Sequence, residues 1–188
     1  MTTRRTPVVT LALALALALG AVAGCTAGDG PDSTKTTPST TSTTSTPSST
    51  TTLSQAQQDL ESAKDGVSNF WAVVDKLSID PNASLDELAT VSRSPSIGVW
   101  RQLLTEQRVA GQVQTGSSKV VSADAERAAD GTFNAAACID VSTVNLVDKN
   151  GKSVVSANRA PRVKYTYVIT KGTDGHFYVT NDKAISAC

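Results

Sequence analysis

The chain has 188 residues, 17 basic and 17 acidic side chains, 39% hydrophobic residues and one histidine. Three of the basic and two of the acidic residues fall in the first 52 positions, which leaves 14 basic against 15 acidic in residues 53–188. A near-neutral domain lacks the basic surplus that binding a row of phosphates requires, which argues against nucleic acid as a partner. One histidine rules out a histidine-cluster metal centre.

Arg4 and Arg5 form a short positive segment, and the chain then runs apolar from Val8 through an alternating Leu-Ala stretch to Ala23. The uninterrupted apolar length falls short of the roughly 18 residues that suggest a spanning helix, and small residues follow it, as at a cleavage site. Val22-Ala23-Gly24-Cys25 resembles the bacterial lipobox: an aliphatic residue, two small residues and a cysteine. That resemblance implies a signal peptide over residues 1–24, removal before Cys25, and diacylation of the Cys25 thiol. Two acyl chains, at about 0.8 kcal/mol per buried methylene, give stable anchoring rather than transient contact. The expected location is the extracytoplasmic face of the cell membrane.

Residues 33–52 are Ser or Thr throughout except Lys35, Pro38 and Pro47. Such a segment buries too little apolar surface to offset its conformational entropy, so residues 25–52 are expected to be a lipidated cysteine followed by a disordered linker. As a flexible coil, residues 26–52 would span about 30 Å on average. Dense Ser/Thr with Pro also resembles O-glycosylated stalks.

The globular domain is expected over residues 53–188. Ser54 and Gln57 form a capping-box signal, and Ala56, Leu60, Ala63, Val67, Phe70, Val74 and Leu77 recur at spacings of four and three, which predicts a long amphipathic helix. Asp80-Pro81-Asn82 ends it. A second capping box, Ser84 and Glu87, predicts a short helix to about Val91. Ser94 as N-cap with Pro95 at the first helical position predicts a third helix, carrying Ile97, Trp100, Leu103 and Leu104 and stopping at Gly111. Beyond Gln112 the period shifts towards two, and strands are predicted at about 112–128, 132–147, 153–171 and 176–186, as antiparallel neighbours. Asn150-Gly151 and Thr173-Asp174-Gly175 mark the turns. In the second strand Phe133, Ala135, Ala137, Ile139 and Val141 share a face, whereas Val144 and Leu146 lie on the opposite phase, which predicts a bulge near Ser142 and Thr143.

Helices followed by a long, bent antiparallel sheet, with the run Cys138-Ile139-Asp140-Val141-Ser142, the run Asp174-Gly175-His176-Phe177-Tyr178-Val179 and a terminal Cys188, resemble the nuclear-transport-factor-2-like superfamily. The resemblance covers residues 54–188 and is similar to lipoprotein domains of actinobacteria and their temperate phages. It implies an α+β cone, a curved sheet of about four strands wrapped on the first helix. That fold hosts isomerases, dehydratases and non-catalytic binding modules alike, so it does not select a function.

With Cys25 assigned to lipid, Cys138 and Cys188 are the remaining thiols, in a compartment that permits disulfides, and are expected to pair. His176, the lone histidine, directly follows a predicted turn and is a poor base for a nucleophilic triad. No catalytic residue, metal site or cofactor is assigned. Trp71, Trp100, Asp140, Tyr165 and Tyr167 are the candidate lining of a pocket in the cone, and Lys149, Lys152, Arg159, Arg162 and Lys164 form a solvated basic rim. The reading that follows is a membrane-anchored, non-enzymatic binding or interaction module for an envelope protein, a glycan or a small apolar ligand. Two alternatives stand beside it: a small cone-fold enzyme working through Asp140 or a tyrosine, and a prophage-encoded surface protein that blocks superinfection.

Overall fold

The structure, a computed structural model, describes residues 53–188. The signal peptide, Cys25 and the linker read from the sequence lie outside the described residues. The described part is α+β: helices first, then an open four-stranded antiparallel sheet with a separate two-stranded pair beside it.

Helix α1 spans Gln55–Ile79 and begins where the sequence signals it, with both halves of the capping box formed. The Gln57 amide donates to Ser54 Oγ at 3.3 Å and the Ser54 amide donates to Gln57 Oε1 at 3.0 Å. Ala63, Val67, Phe70, Val74 and Leu77 form its buried stripe, while Ala56 is exposed. A 3-10 helix follows over Leu85–Thr90. Here the expected second capping box is corrected: the Ser84 hydroxyl accepts from the Asp86 amide, one residue early, and Glu87 turns outward to Lys76 at 2.6 Å.

Helix α2 spans Ser96–Val109, with Pro95 as its N-cap and no side-chain cap. The expected Ser94 cap is therefore displaced by one residue, and the serine that matters is Ser96, which is buried and faces the sheet. At its other end, α2 closes the C-terminus of α1. Gln107 Nε2 donates to the Ser78 carbonyl at 3.0 Å and Arg108 Nη2 to the Leu77 carbonyl at 3.2 Å. These are carbonyls that a helix end leaves without partners, and the Arg108 charge lies at the negative end of the α1 dipole.

The strands are β1 (Val113–Thr115), β2 (Lys119–Arg127), β3 (Phe133–Asp140), β4 (Asn145–Val147), β5 (Arg162–Lys171) and β6 (Phe177–Ala187). The main sheet has the order β2-β3-β5-β6, every pair antiparallel, and β1 pairs with β4. Three of the four long strands predicted are thus divided or shortened. Residues 112–128 split at Gly116, which adopts φ +71° and lies so close to the Thr143 carbonyl that an added Cβ would stand 1.9 Å from its oxygen. Asp75, buried in α1, grips the same break, accepting from Gln114 Nε2 at 2.7 Å, the Ser118 amide at 2.6 Å and Ser118 Oγ at 2.9 Å.

Residues 132–147 also divide. In place of the expected bulge, Asp140 Oδ1 accepts from the Ser142 amide at 2.9 Å, and the turn carries β4 out of the main sheet onto β1. The change of phase at Ser142 and Thr143 marks a change of sheet. Residues 153–161 form a loop with one bridge, Ser153 to Val147, so β5 starts later than predicted. Both predicted turns are present, each closed by an aspartate: Asp148 accepts from the Asn150 amide and Asp174 from the His176 amide.

The core lies between α1, α2 and the inner face of the sheet, around Phe70, Leu77, Leu88, Leu104, Phe133, Ile139, Ile169 and Val179. Cys138 and Cys188 are joined in a disulfide with Cα atoms 6.0 Å apart. The bond crosses β5 on the outer face and fastens the end of β6 to β3.

Candidate functional site

Alternation places Tyr165 and Tyr167 on the inner face of β5, beneath α1 and α2. Trp71 descends from α1 and Trp100 from α2, and both, with Tyr167, pack edge-on against Phe70. Trp71 stands edge-on to Trp100 at 5.6 Å and to Tyr165 at 5.2 Å between centroids, and Tyr165 stacks with Tyr167 at 6.1 Å. Four of the five predicted site residues are therefore brought together, as a mutually packed aromatic cluster.

Two polar links run through the cluster. The Trp71 indole N–H donates to Tyr167 Oη at 2.8 Å. Ser96 Oγ donates to Asp182 Oδ1 at 2.5 Å and the Trp100 indole N–H to Asp182 Oδ2 at 3.0 Å. Each oxygen of the one carboxylate in the cluster is thus occupied. Burial pushes the Tyr167 hydroxyl well above the usual phenol range, and burial together with the Asp182 charge raises that of Tyr165. The arrangement is a close-packed aromatic core whose two indole donors are already used: Trp71 is 6% and Tyr167 2% exposed, so the rings themselves fill the space expected to be a pocket.

Asp140 is not part of it. It lies at the end of β3 on the outer face, beside Cys138 and opposite in phase to Ala137 and Ile139, so it cannot line a cavity with the tyrosines. Hydrogen bonds from Ser142 and then the Arg162 guanidinium, 3.2 Å away, hold its carboxyl at about 2. A carboxylate held ionised in this way closes a turn; it is ill-suited to act as a general acid. Of the predicted basic rim, Arg162 is committed to Asp140, and Arg159 donates to the carbonyls of Val141 and Val144. His176 is exposed just after the turn, as the sequence places it.

Asp182 and Ser96 are the members of the site that sequence reading misses. A bulge at Thr180 shifts the pairing of β6, so that Val179 faces Ile169 but Asp182, three residues on, faces Tyr167. Simple alternation from Val179 would send Asp182 outward.

The Trp71–Tyr167 bond predicts a measurable cost. Tyr167 is 2% exposed, and Tyr167→Phe keeps the ring while leaving a buried indole N–H unpaired. The expected loss is about 1–2 kcal/mol in urea unfolding. Tyr165→Phe, which leaves that bond in place, should cost less; equal losses would show that the hydrogen bond contributes nothing specific.

Among the described residues there is no group of three or more His, Cys, Asp or Glu arranged to hold a metal, and no helix long and apolar enough to cross a membrane. No protein-family model matches the chain, and no curated protein matches it. Among solved structures, the chain is similar to the crystal structure of the intermembrane space region of chloroplast protein ARC6, with 16% identity and a TM-score of 0.50. The match covers 72% of this chain and 100% of that one. At that identity the likeness concerns the fold alone.

Proposed function

We propose that the protein is an extracytoplasmic lipoprotein whose C-terminal domain, of the nuclear-transport-factor-2-like cone type, holds a partner or ligand near the membrane without chemical turnover. The observation that carries this reading is Val22-Ala23-Gly24-Cys25, set directly after a charged and then apolar segment and followed by a Ser/Thr linker. Diacylated Cys25 is the anchor, residues 26–52 the tether, and residues 53–188 the working domain. Support for binding rather than turnover comes from the aromatic cluster. Its carboxylate, Asp182, accepts from Ser96 and Trp100 through both oxygens, which leaves no free base among the rings. The partner classes that fit are an envelope protein, a glycan or a small apolar ligand that gains from aromatic burial.

The test is expression of the full chain and of Cys25→Ala in a bacterial host, with metabolic labelling by an alkyne fatty acid and detergent phase partitioning. The wild type should incorporate label and enter the detergent phase. Cys25→Ala should remain unlabelled and accumulate as an unprocessed or mislocalised precursor. Identical labelling and partitioning of the two would reject the lipoprotein reading.

A further inference from the structure

Both helices pack on the inner face of the sheet, and the outer face presents an ordered grid of side chains. The strand registers set its rows. One row runs Asp124, Ala136, Thr166, Lys183 across β2, β3, β5 and β6; the next runs Glu126, Asn134, Val168, Asn181. In these two rows the acids lie on one edge strand, a lysine on the other, and small or uncharged residues occupy the middle; Lys164 of β5 stands in the adjoining row. Among the described residues neither Asp124 nor Lys183 takes part in an ion pair. They cannot reach each other within one chain, because three strand spacings of about 4.8 Å put their backbones about 14 Å apart.

We propose that this face binds a second copy of the same chain, sheet against sheet, with Asp124 of each copy paired to Lys183 of the other. The argument is one of symmetry and charge. A two-fold axis between the sheets, parallel to the strands and midway between β3 and β5, exchanges β2 with β6 and β3 with β5 while keeping each row at its own height. Asp124 then meets Lys183 twice, Ala136 meets Thr166 twice, and Glu126 meets Asn181, so no charge faces its like. The other in-plane axis, perpendicular to the strands, lays β2 on β2 and sets the acids of one copy against those of the other. Charge therefore selects the first axis over the second. The two rows line a shallow hollow of about 600 Å3 with the small residues Ala136 and Thr166 in its middle, so the contact is carried by its rims, where Asp124 and Lys183 stand.

The size of the face limits the strength of the pair. Four strands about 4.8 Å apart and eight residues rising about 3.3 Å each give a patch of about 500 Å2 per copy, in the size range of weak, transient interfaces. The dimer is accordingly one that salt and dilution dissociate.

The experiment is zero-length carbodiimide cross-linking of the full chain purified in detergent, read by peptide mass spectrometry. The wild type should yield a covalent dimer with an amide between the Asp124 carboxyl and the Lys183 amine, a link that only two copies can make. Lys183→Glu sets acid against acid at both contacts, and because it also removes the reactive amine its dimer is read by sedimentation equilibrium, where the dissociation constant should rise about tenfold or more over the wild type. Asp124→Lys combined with Lys183→Glu should restore the dimer with the linked pair reversed. Both positions are solvent-facing, and near-UV circular dichroism of each variant checks that the fold is retained. Absence of the Asp124–Lys183 link in the wild type, a dimer insensitive to Lys183→Glu, or failure of the reversed pair in a folded protein overturns the proposal. A link from Lys183 to Asp29 or Asp32 in place of Asp124 would overturn it in favour of the linker as occupant.

Discussion

Loss of the Cys138–Cys188 bond, by reduction or in Cys138→Ser/Cys188→Ser, should lower the unfolding free energy by about 4 kcal/mol, the chain-entropy value for a loop of this length. The closed loop is 50 residues, and the restraint acts mainly by shrinking the unfolded ensemble. There is also a local reason for a large effect. Beyond Asp182 every residue of β6 is exposed, so the end of that strand has little burial of its own to hold it. Its pairs with β5, Val163 with Ala187 and Lys164 with Ser186, are kept in place by the staple that follows them. Urea unfolding of the oxidised and reduced proteins should separate by this amount, with a fall in Tm of about 15 °C for a domain of this size. Hydrogen exchange in the reduced form should rise first at residues 183–188. A difference below about 1 kcal/mol would mean that the unfolded chain is already restrained without the bond, or that strain in the folded state offsets it.

Asp75→Ala should cost about 3 kcal/mol, because it strips three hydrogen bonds from a buried carboxylate and leaves their donors without an acceptor. Asp75 is 6% exposed and belongs to α1, yet what it holds is the break between β1 and β2. Without it, Gln114 Nε2 and the Ser118 amide lose a charged partner in a place water enters poorly. Ser118→Ala removes only the hydroxyl contact and should cost about 1 kcal/mol. Because both changes act on one cluster, the double variant should cost less than the two separately, with a coupling of about 0.5–1 kcal/mol. Urea unfolding of the four proteins in the cycle measures it. Strict additivity would show that Asp75 does not act through Ser118, and would leave the conformation of Gly116 to hold the break alone.

Asp182 shows why the site was harder to read than the fold around it. An acid in the last strand is visible in the chain, but its face depends on the pairing register, and the bulge at Thr180 reverses that face. A slip of one residue sends every later side chain to the other side of a sheet. Asp140 illustrates the complementary error. Its phase, shared with Cys138, was already legible, and that phase placed it outside the cluster of Trp71, Trp100, Tyr165 and Tyr167 to which it was assigned.

The features that the sequence by itself determined are those in which a few neighbouring residues satisfy one another. The capping box of Ser54 and Gln57, the buried stripe from Ala63 to Leu77, the turns at Asn150-Gly151 and Thr173-Asp174-Gly175, and the α+β order all rest on local hydrogen bonding and periodic burial. The Cys138–Cys188 pair was accessible for a different reason, since assigning Cys25 to lipid left no other partner. Only the tertiary structure decided where strands end and which sheet they join. The break at Gly116 exists because Asp75, some forty residues earlier, and Thr143, some thirty later, converge on it. The departure of β4 from the main sheet depends likewise on β1 offering it an edge. Such choices are made by backbone groups seeking partners across the whole domain, and a strand's own residues do not name the partner they will find.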